Sequence, residues 1–522
     1  MSSGLHQFDG ELPIFSQQTI NARVAQLRAS LAEAEGIDSA TLLEQERFDR
    51  ELLIGGLGEE LFSLTEWQDY RHNPMALMYP LEVTNYMDRA YAPVEQRIAS
   101  LAQVLRQVPE YLESLRSLLE PPFAEPILRQ SIESYEGIAG FYRGDLSEFA
   151  NANVRGALAV EVAESLDEAA VAVDSMVAYL KANDAAATNS FALGADVYAK
   201  MLRHGERVEL PLADIEAAGE RELSRNRGLA EQAAAAIAPG KSVADAIALV
   251  SKEHPTAESL LDETRALLEE IRAFVVDNDV ATVASEVRAT VRETPSFMRW
   301  AFAAMDGPGP FEQVATESFY YVTPVEGHWS TEEAEAWLRY FSYPILKIIS
   351  VHEVYPGHYV HFLRHHDAPS DAAKVFGAYS FWEGWAHYCE EMVLEVGFGN
   401  GDPKLSLAVA QEALVRICRM LCSLRMHTQG LSLDDATRFF MANAYMEEMP
   451  ASKEAQRGTF DPGYLNYTLG KLMIYKLRAD WQAEQGSAYS LKAFHDDLLS
   501  HGGPPVPLLR KFMLRSDDGR VL

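Results

Sequence analysis

Cysteine is nearly absent: the 522 residues include only Cys389, Cys418 and Cys422. Three thiols cannot form a disulfide framework, and their clustering late in the chain points to buried free thiols in a reducing compartment. Cys418 and Cys422 stand four apart on an expected helix and could meet as metal ligands, but no second close pair accompanies them. Positive charge is scarce too. Lys and Arg number 45 against 77 Asp and Glu, a net charge of −32. That balance argues against a nucleic-acid binder with a basic face and against an electrostatic anchor to an anionic membrane. Long apolar runs are missing; no window of about 18 residues is apolar and uncharged, so no membrane span is expected. The opening MSSGLHQFDGELPIF lacks a basic start and an apolar stretch. No secretory signal is therefore expected, and the expected compartment is the cytoplasm. No fixed-period repeat supports a solenoid.

What is present is an ordinary globular mix, 48% hydrophobic and 23% charged, long enough for a large core. Segments rich in Ala, Leu, Glu and Arg repeat with helical periodicity from Gln18 to Asp277. Helices are expected over Ile20 to Glu35, Val94 to Leu119, Asn151 to Ala182, Leu212 to Ala238 and Ala257 to Asp277. Proline and glycine punctuate the chain at Pro121-Pro122, Pro239-Gly240 and Gly307-Pro308-Gly309-Pro310. The fold expected is mainly α, a large helical body with a small β-element. Two lobes are anticipated, residues 1–300 and residues 301–522. The first would wall a cleft in the second and admit only short, unfolded peptides. Ser318 to Val325 (SFYYVTPV) is the best strand candidate, and Pro324 places it at a sheet edge or marks the strand's end. An edge strand could pair with a peptide; a short structural ribbon is the alternative.

Ser330 and Glu333 form a capping box that starts a helix, and Pro344 opens the next one. There Ile345, Ile348, Ile349 and His352 fall on one stripe, so His352 belongs to the apolar face. Glu353 follows at once, then Val354, Tyr355, Pro356, Gly357 and His358. A His-Glu pair followed by a second histidine resembles zinc hydrolases. In their usual form two imidazoles four apart share a helix face and the glutamate is the general base. Here the second histidine is six positions on, which turns it about 240° away on a straight helix. Pro356 removes a helical hydrogen bond and Gly357 permits a wide turn, so a bulge in a bent helix would return His358 to His352. A helix kink between two unrelated histidines is the competing explanation.

A second element strengthens the first. In Phe381-Trp382-Glu383-Gly384-Trp385-Ala386-His387, on a helix expected from about Ala372 to Val396, Glu383, His387 and Glu390 share one face. Two tryptophans flank Glu383, and a carboxylate buried there needs a partner. A metal ion would supply one; an arginine or His387 is the alternative.

The runs HEVYPGHYVHF, FWEGWAHYCEE and RGTFDPGYLNYTLGKLMIYKLR resemble, in that order, a widespread bacterial family long labelled a domain of unknown function. Its signatures are H-E-x-x-P-G-H and E-G-W-A, and it is placed in the clan of thermolysin-like zinc metallopeptidases. The likeness covers most of the chain and is strongest from about Phe319 to Leu514. It implies a helical fold with a deep cleft, similar to helical zinc oligopeptidases and carboxypeptidases, and one Zn2+ per chain. It implies His352, His358 and Glu383 as metal ligands and Glu353 as the base that takes a proton from metal-activated water. Tyr467 matches a late tyrosine that could donate to an oxyanion, with a core tyrosine as the alternative. His427 matches a family histidine, but Ser423 stands where that pattern often has Asp. Arg419 matches the same pattern and could balance buried carboxylates.

Other candidates remain beside these. His358, His361 and His365, with His366 next to them, could form a separate metal face or a polar helix stripe. His387 could replace Glu383, or join Tyr388 and Glu390 behind the ligands. Lys471 could meet a substrate carboxylate or a glutamate, or be solvated. Tyr320, Tyr321 and the tryptophans are expected to line the cleft. The function expected is a zinc-dependent hydrolase, foremost a peptidase acting on short peptides, with no nucleic-acid or membrane partner. The alternatives are a zinc amidohydrolase acting on a non-peptide amide and a catalytically silent helical binding protein.

Overall fold

The computed structural model describes residues 3–295, Arg299 and 302–522. The chain is mainly α, with one small three-stranded sheet. Helices α1 (Val94–Leu118), α2 (Glu125–Arg143) and α3 (Ala157–Ala182) enclose a core of their own. On α1, Ile98, Leu101, Leu105, Val108, Leu112 and Leu115 are all buried, the three-then-four spacing that puts apolar residues on one helix face. Burial of each contributes about 1.5–3 kcal/mol. The helix expected over Asn151 to Ala182 is two helices, because Gly156 adopts φ +67° and ends the first after Asn153.

The first core is drawn from residues 12 to 180. Residues from Tyr198 to Val291 instead pack with those from Tyr320 to Val521. Helix α4 (Leu212–Ile237) likewise shares a third core with the C-terminal half. The boundary expected near residue 300 has no counterpart in this division of the cores.

The sheet joins β1 (Thr290–Glu293), β2 (Ala303–Asp306) and β3 (Phe319–Val322) in the order β1-β3-β2. Strand β3 is parallel to β1 and antiparallel to β2. It is therefore central, not an edge, and Pro324 simply lies beyond its end. Both its flanks are paired, so an added peptide strand has no place on it; all four residues are buried, as a central strand's should be.

The site is built from α5 (Tyr343–Glu353), α6 (His358–His366), α7 (Tyr379–Glu395), α8 (Pro403–Thr428), α9 (Glu448–Phe460) and α10 (Asn466–Gln485). Helices α7 and α10 touch backbone to backbone. A Cβ on Gly384 would overlap the backbone of Gly470, and one on Gly470 would overlap the Ser380 carbonyl. Two facing glycines thus set Tyr467, three residues before Gly470, against the helix that carries Glu383.

Candidate metal centre

The bend expected in one helix is a break between two. Helix α5 ends at Glu353, Val354 to Gly357 turn, and α6 starts at His358. Pro356 has no N–H to continue a helix, and the chain changes direction rather than bulging. The turn satisfies its own amides: Val354 N–H donates to Ser350 O at 2.9 Å, and Gly357 N–H to Val351 O at 3.1 Å. The Tyr355–Pro356 peptide is cis. A side chain at position 357 is excluded, since its Cβ would overlap the His352 carbonyl oxygen. The outcome is the one anticipated by another route. The rings of His352 and His358 stand edge to face, 4.9 Å apart and 86° inclined.

Glu383 reaches both from α7. Its Oε2 lies 3.4 Å from His352 Nε2 and 3.5 Å from His358 Nε2. Neither contact has hydrogen-bond geometry, and Oε2 has no hydrogen-bond partner. The three donor atoms lie within 4.8 Å of one another, and among the described residues no other such group of His, Cys, Asp or Glu occurs. Ligands about 2.0–2.2 Å from a tetrahedral zinc ion stand about 3.4 Å apart, so the two measured separations fit. A partnerless carboxylate oxygen facing two imidazoles is costly unless a cation joins them. The side chain of Glu383 is 21% exposed, so the trio opens to solvent on its carboxylate side.

Electrostatics tie the trio together. Burial raises the pKa of Glu383, but His358 and His352 outweigh it and hold the carboxyl well below the usual range. Burial lowers the pKa of His352, yet Glu383 and Glu390 push it up to about 9. A cation entering the trio must displace that imidazole proton.

Behind His352 stands a buried relay. Glu390 accepts from His352 Nδ1 at 2.7 Å and from His387 Nδ1 at 3.1 Å. Arg416 Nη2 lies 3.2 Å from Glu390, and its Nη1 donates to Glu412 at 2.7 Å. Burial raises the Glu390 pKa, while Arg416 and His387 hold it well below the usual range. With Nδ1–H given to Glu390, Nε2 is the His352 nitrogen that faces the trio and would offer a lone pair once its proton has left, the arrangement that orients metal-binding histidines. Arg416 is the functional residue sequence reading missed. Glu412 and Arg416 are four apart on an otherwise apolar stretch, a signal that looks like any surface pair until the helix is known to be buried. His387 joins Glu390 and is not part of the trio; burial pushes its pKa down to about 3, so it is neutral.

The other candidates fall into place around this centre. Glu353, partly exposed, makes no hydrogen bond or ion pair to a described residue. The Tyr467 ring lies along His352, centroids 6.5 Å apart and 19° inclined. Burial and Glu383 raise its pKa, so its hydroxyl keeps its proton. Arg419 grips Glu454 through two 2.7 Å bonds while standing over the Tyr467 ring. Lys471 is not solvated: it is 2% exposed, 2.6 Å from Glu391, and so locks α10 to α7. His427 has both ring nitrogens on backbone, Nε2 donating to Gly458 O at 2.7 Å and Nδ1 accepting from Leu193 N–H at 3.4 Å. That pins α8 to α9 and to the loop before Ala195. Ser423, at the position where the family pattern often has Asp, bonds Tyr198 and Pro462 O. Tyr321 is buried beside Asp88 and Asp306, whereas Tyr320 meets Ser350 of α5 at 3.2 Å. His361 and His365 form no second metal face. Their Nε2 atoms meet the carbonyls of Gly502 at 3.1 Å and Ala373 at 3.2 Å, in an aromatic nest around Trp382. The three cysteines are free and buried.

Fold and site together define a class: a mainly α-helical protein with, among the described residues, one His-His-Glu group where two helices break against a third. The chain belongs to the family described as "Bacterial protein of unknown function (DUF885)", whose family model matches residues 1–513. The chain is similar in structure to "a putative lipoprotein of unknown function from Shewanella oneidensis", 24% identical with a TM-score of 0.82, covering 98% of this chain and 95% of that one. It is also similar to "the putative lipoprotein from Colwellia psychrerythraea", 17% identical with a TM-score of 0.81, covering 98% and 94%. No curated protein matches. Both likenesses are of fold.

Proposed function

We propose that this chain is a zinc-dependent hydrolase, a peptidase that cleaves short peptides, with His352, His358 and Glu383 holding one Zn2+. The observation that carries the reading is the donor trio, spaced 3.4 and 3.5 Å across Glu383 Oε2, beside a glutamate with no partner. The resemblance of the three motifs to a family placed in the clan of thermolysin-like zinc metallopeptidases supports it. When bound, the ion would polarise the substrate carbonyl and bring the pKa of water near neutrality.

The chain's own residues do the rest. Glu353, next in sequence to a ligand, takes the proton from the attacking water and returns it to the leaving amine. Tyr467 keeps its hydroxyl proton and donates to the carbonyl oxygen as charge develops there. Glu390 and Arg416 hold the His352 ring in one tautomer. His427, with both nitrogens occupied, contributes through the packing of α8 and not through substrate.

Zinc content of the purified chain, with turnover of a mixed peptide library before and after chelation, tests the reading. Glu353→Gln is expected to keep the metal and lose at least about 100-fold in turnover. Wild-type turnover in that variant removes Glu353 as the base. A chain that binds zinc but hydrolyses only non-peptide amides is an amidohydrolase, and one that hydrolyses nothing is a binding protein. Cytoplasmic placement belongs to the same proposal; it rests on the three free thiols, and cell fractionation tests it. Among the described residues no helix is long and apolar enough to cross a membrane.

A further inference from the structure

Three guanidinium groups surround the Tyr467 ring, Arg419 at 5.1 Å and Arg416 and Arg457 each at 5.9 Å. Two are committed to buried carboxylates. Arg416, 10% exposed, lies between Glu390 and Glu412, and Arg419, 13% exposed, is gripped by both oxygens of Glu454. Arg457 differs. It is 29% exposed, and its Nε and Nη2 share one oxygen of Asp461 at 3.0 and 2.8 Å. Nη2 also donates to Tyr379 OH at 3.2 Å, and no carboxylate pairs with Nη1.

Its position follows from the fold. Arg457 lies in the last turn of α9, and Tyr379 is the first residue of α7, four before Glu383. The rings of Tyr379 and Tyr467 meet at 5.7 Å. The partly exposed cation thus borders both tyrosines that flank the donor trio. The spacings from the His352 ring to Tyr467 (6.5 Å) and from Tyr467 to Arg457 (5.9 Å) bound the gap. Arg457 stands no more than about 12 Å from His352, a gap that up to about three extended residues span at 3.3–3.6 Å each.

We propose that Arg457 receives the free α-carboxylate of the substrate, so that the chain removes a C-terminal fragment of one to about three residues. The Nη1 end of the guanidinium carries two N–H donors that no carboxylate occupies, and these can bond that anion. This rests on the peptidase reading and adds the substrate class to it. The step is amide hydrolysis: water adds across the scissile C–N bond. The longer fragment leaves as a carboxylate, and the nitrogen of the fragment held by Arg457 takes both protons of the water and leaves as an ammonium.

The test is a set of peptides made in pairs, free acid and C-terminal amide, given to the zinc-loaded full chain and followed by mass spectrometry. The free acid is expected to show at least about 10-fold higher kcat/KM, with every cut within three residues of the C-terminus. In Arg457→Gln that preference is expected to collapse toward one, mainly through KM, and Arg457→Lys to restore part of it. Calorimetry on Glu353→Gln should show the free acid binding more tightly than its amide, a readout independent of turnover. Zinc-dependent cleavage that ignores amidation, or that falls far from the C-terminus, overturns the proposal and leaves the peptidase reading standing. No hydrolysis of any peptide by the loaded chain overturns both. Should Arg457→Gln misfold by circular dichroism, the acid-against-amide comparison in the unaltered chain still decides.

Discussion

Replacing Glu390 by glutamine tests whether the buried relay exists to hold His352, the proposed metal ligand, in place. The carboxylate is fully buried and serves His352, His387 and Arg416. Glutamine has the same shape but one acceptor and one donor end. Its oxygen can keep His352 Nδ1–H and Arg416, while its NH2 faces His387 Nδ1. Neutral His387 can accept there by moving its proton to Nε2, which has no partner now. The hydrogen bonds therefore survive and only the charge is lost. Zinc affinity is expected to fall about 10- to 100-fold, the effect of losing a carboxylate behind a histidine ligand. Stability should drop by about 1–2 kcal/mol, because Arg416 keeps Glu412 and its other bonds become neutral-acceptor ones. Glu390→Ala should cost more, about 3–5 kcal/mol, because Arg416 then loses one of its two buried partners. Competition against a chelator of known affinity measures the first quantity, and denaturant melts the second. A glutamine variant that binds zinc within threefold of the unaltered chain would refute the reasoning.

Two further outcomes follow from the geometry. Gly357→Ala places a Cβ onto the His352 carbonyl oxygen, a backbone clash that no rotamer relieves, so the turn must move. It should cost at least about 3 kcal/mol and abolish stoichiometric zinc, checked by melting and elemental analysis. Glu206 is buried and accepts from Ser380 N–H at 3.2 Å and Asn466 Nδ2 at 2.9 Å; burial raises its pKa to about 7. A carboxyl raised in the folded state favours folding fully below the unfolded value near 4.5. That advantage is lost as pH rises toward 7, amounting to about 3 kcal/mol across the window. Urea melts between pH 4.5 and 8 should show a shallower decline for Glu206→Gln than for the unaltered chain, and parallel declines would exclude the assignment.

The helical elements were legible because burial and period coincide in them. The stripe of Ile345, Ile348, Ile349 and His352 is buried as its spacing demands, and Ser330 caps its helix through Glu333. Errors arose where the deciding contact lies far along the chain. Nothing local shows that β1 and β2 flank Ser318 to Val325 on both sides, so its sequence leaves an edge position open beside a strand end at Pro324. For Lys471 the sequence leaves a substrate carboxylate, a glutamate and solvent all open, and only packing sets Glu391 beside it. His361 and His365 have the spacing of a metal face, yet their partners are carbonyls at Gly502 and Ala373. The backbone of Gly470 fills the space beside Gly384, a contact that nothing near Gly384 in sequence reveals.

Local chemistry alone determined which residue types could form the centre: two histidines around a proline and glycine that end a helix, and a carboxylate between tryptophans. These are properties of neighbours in sequence, and short-range sterics and periodicity act on them directly. Only tertiary structure decided which nitrogen each imidazole presents, which arginine is left partly exposed beside the two tyrosines, and that Arg416 stands behind His352. Those outcomes depend on hydrogen bonds and ion pairs between helices tens to hundreds of residues apart, where donors meet acceptors only after the backbones have packed.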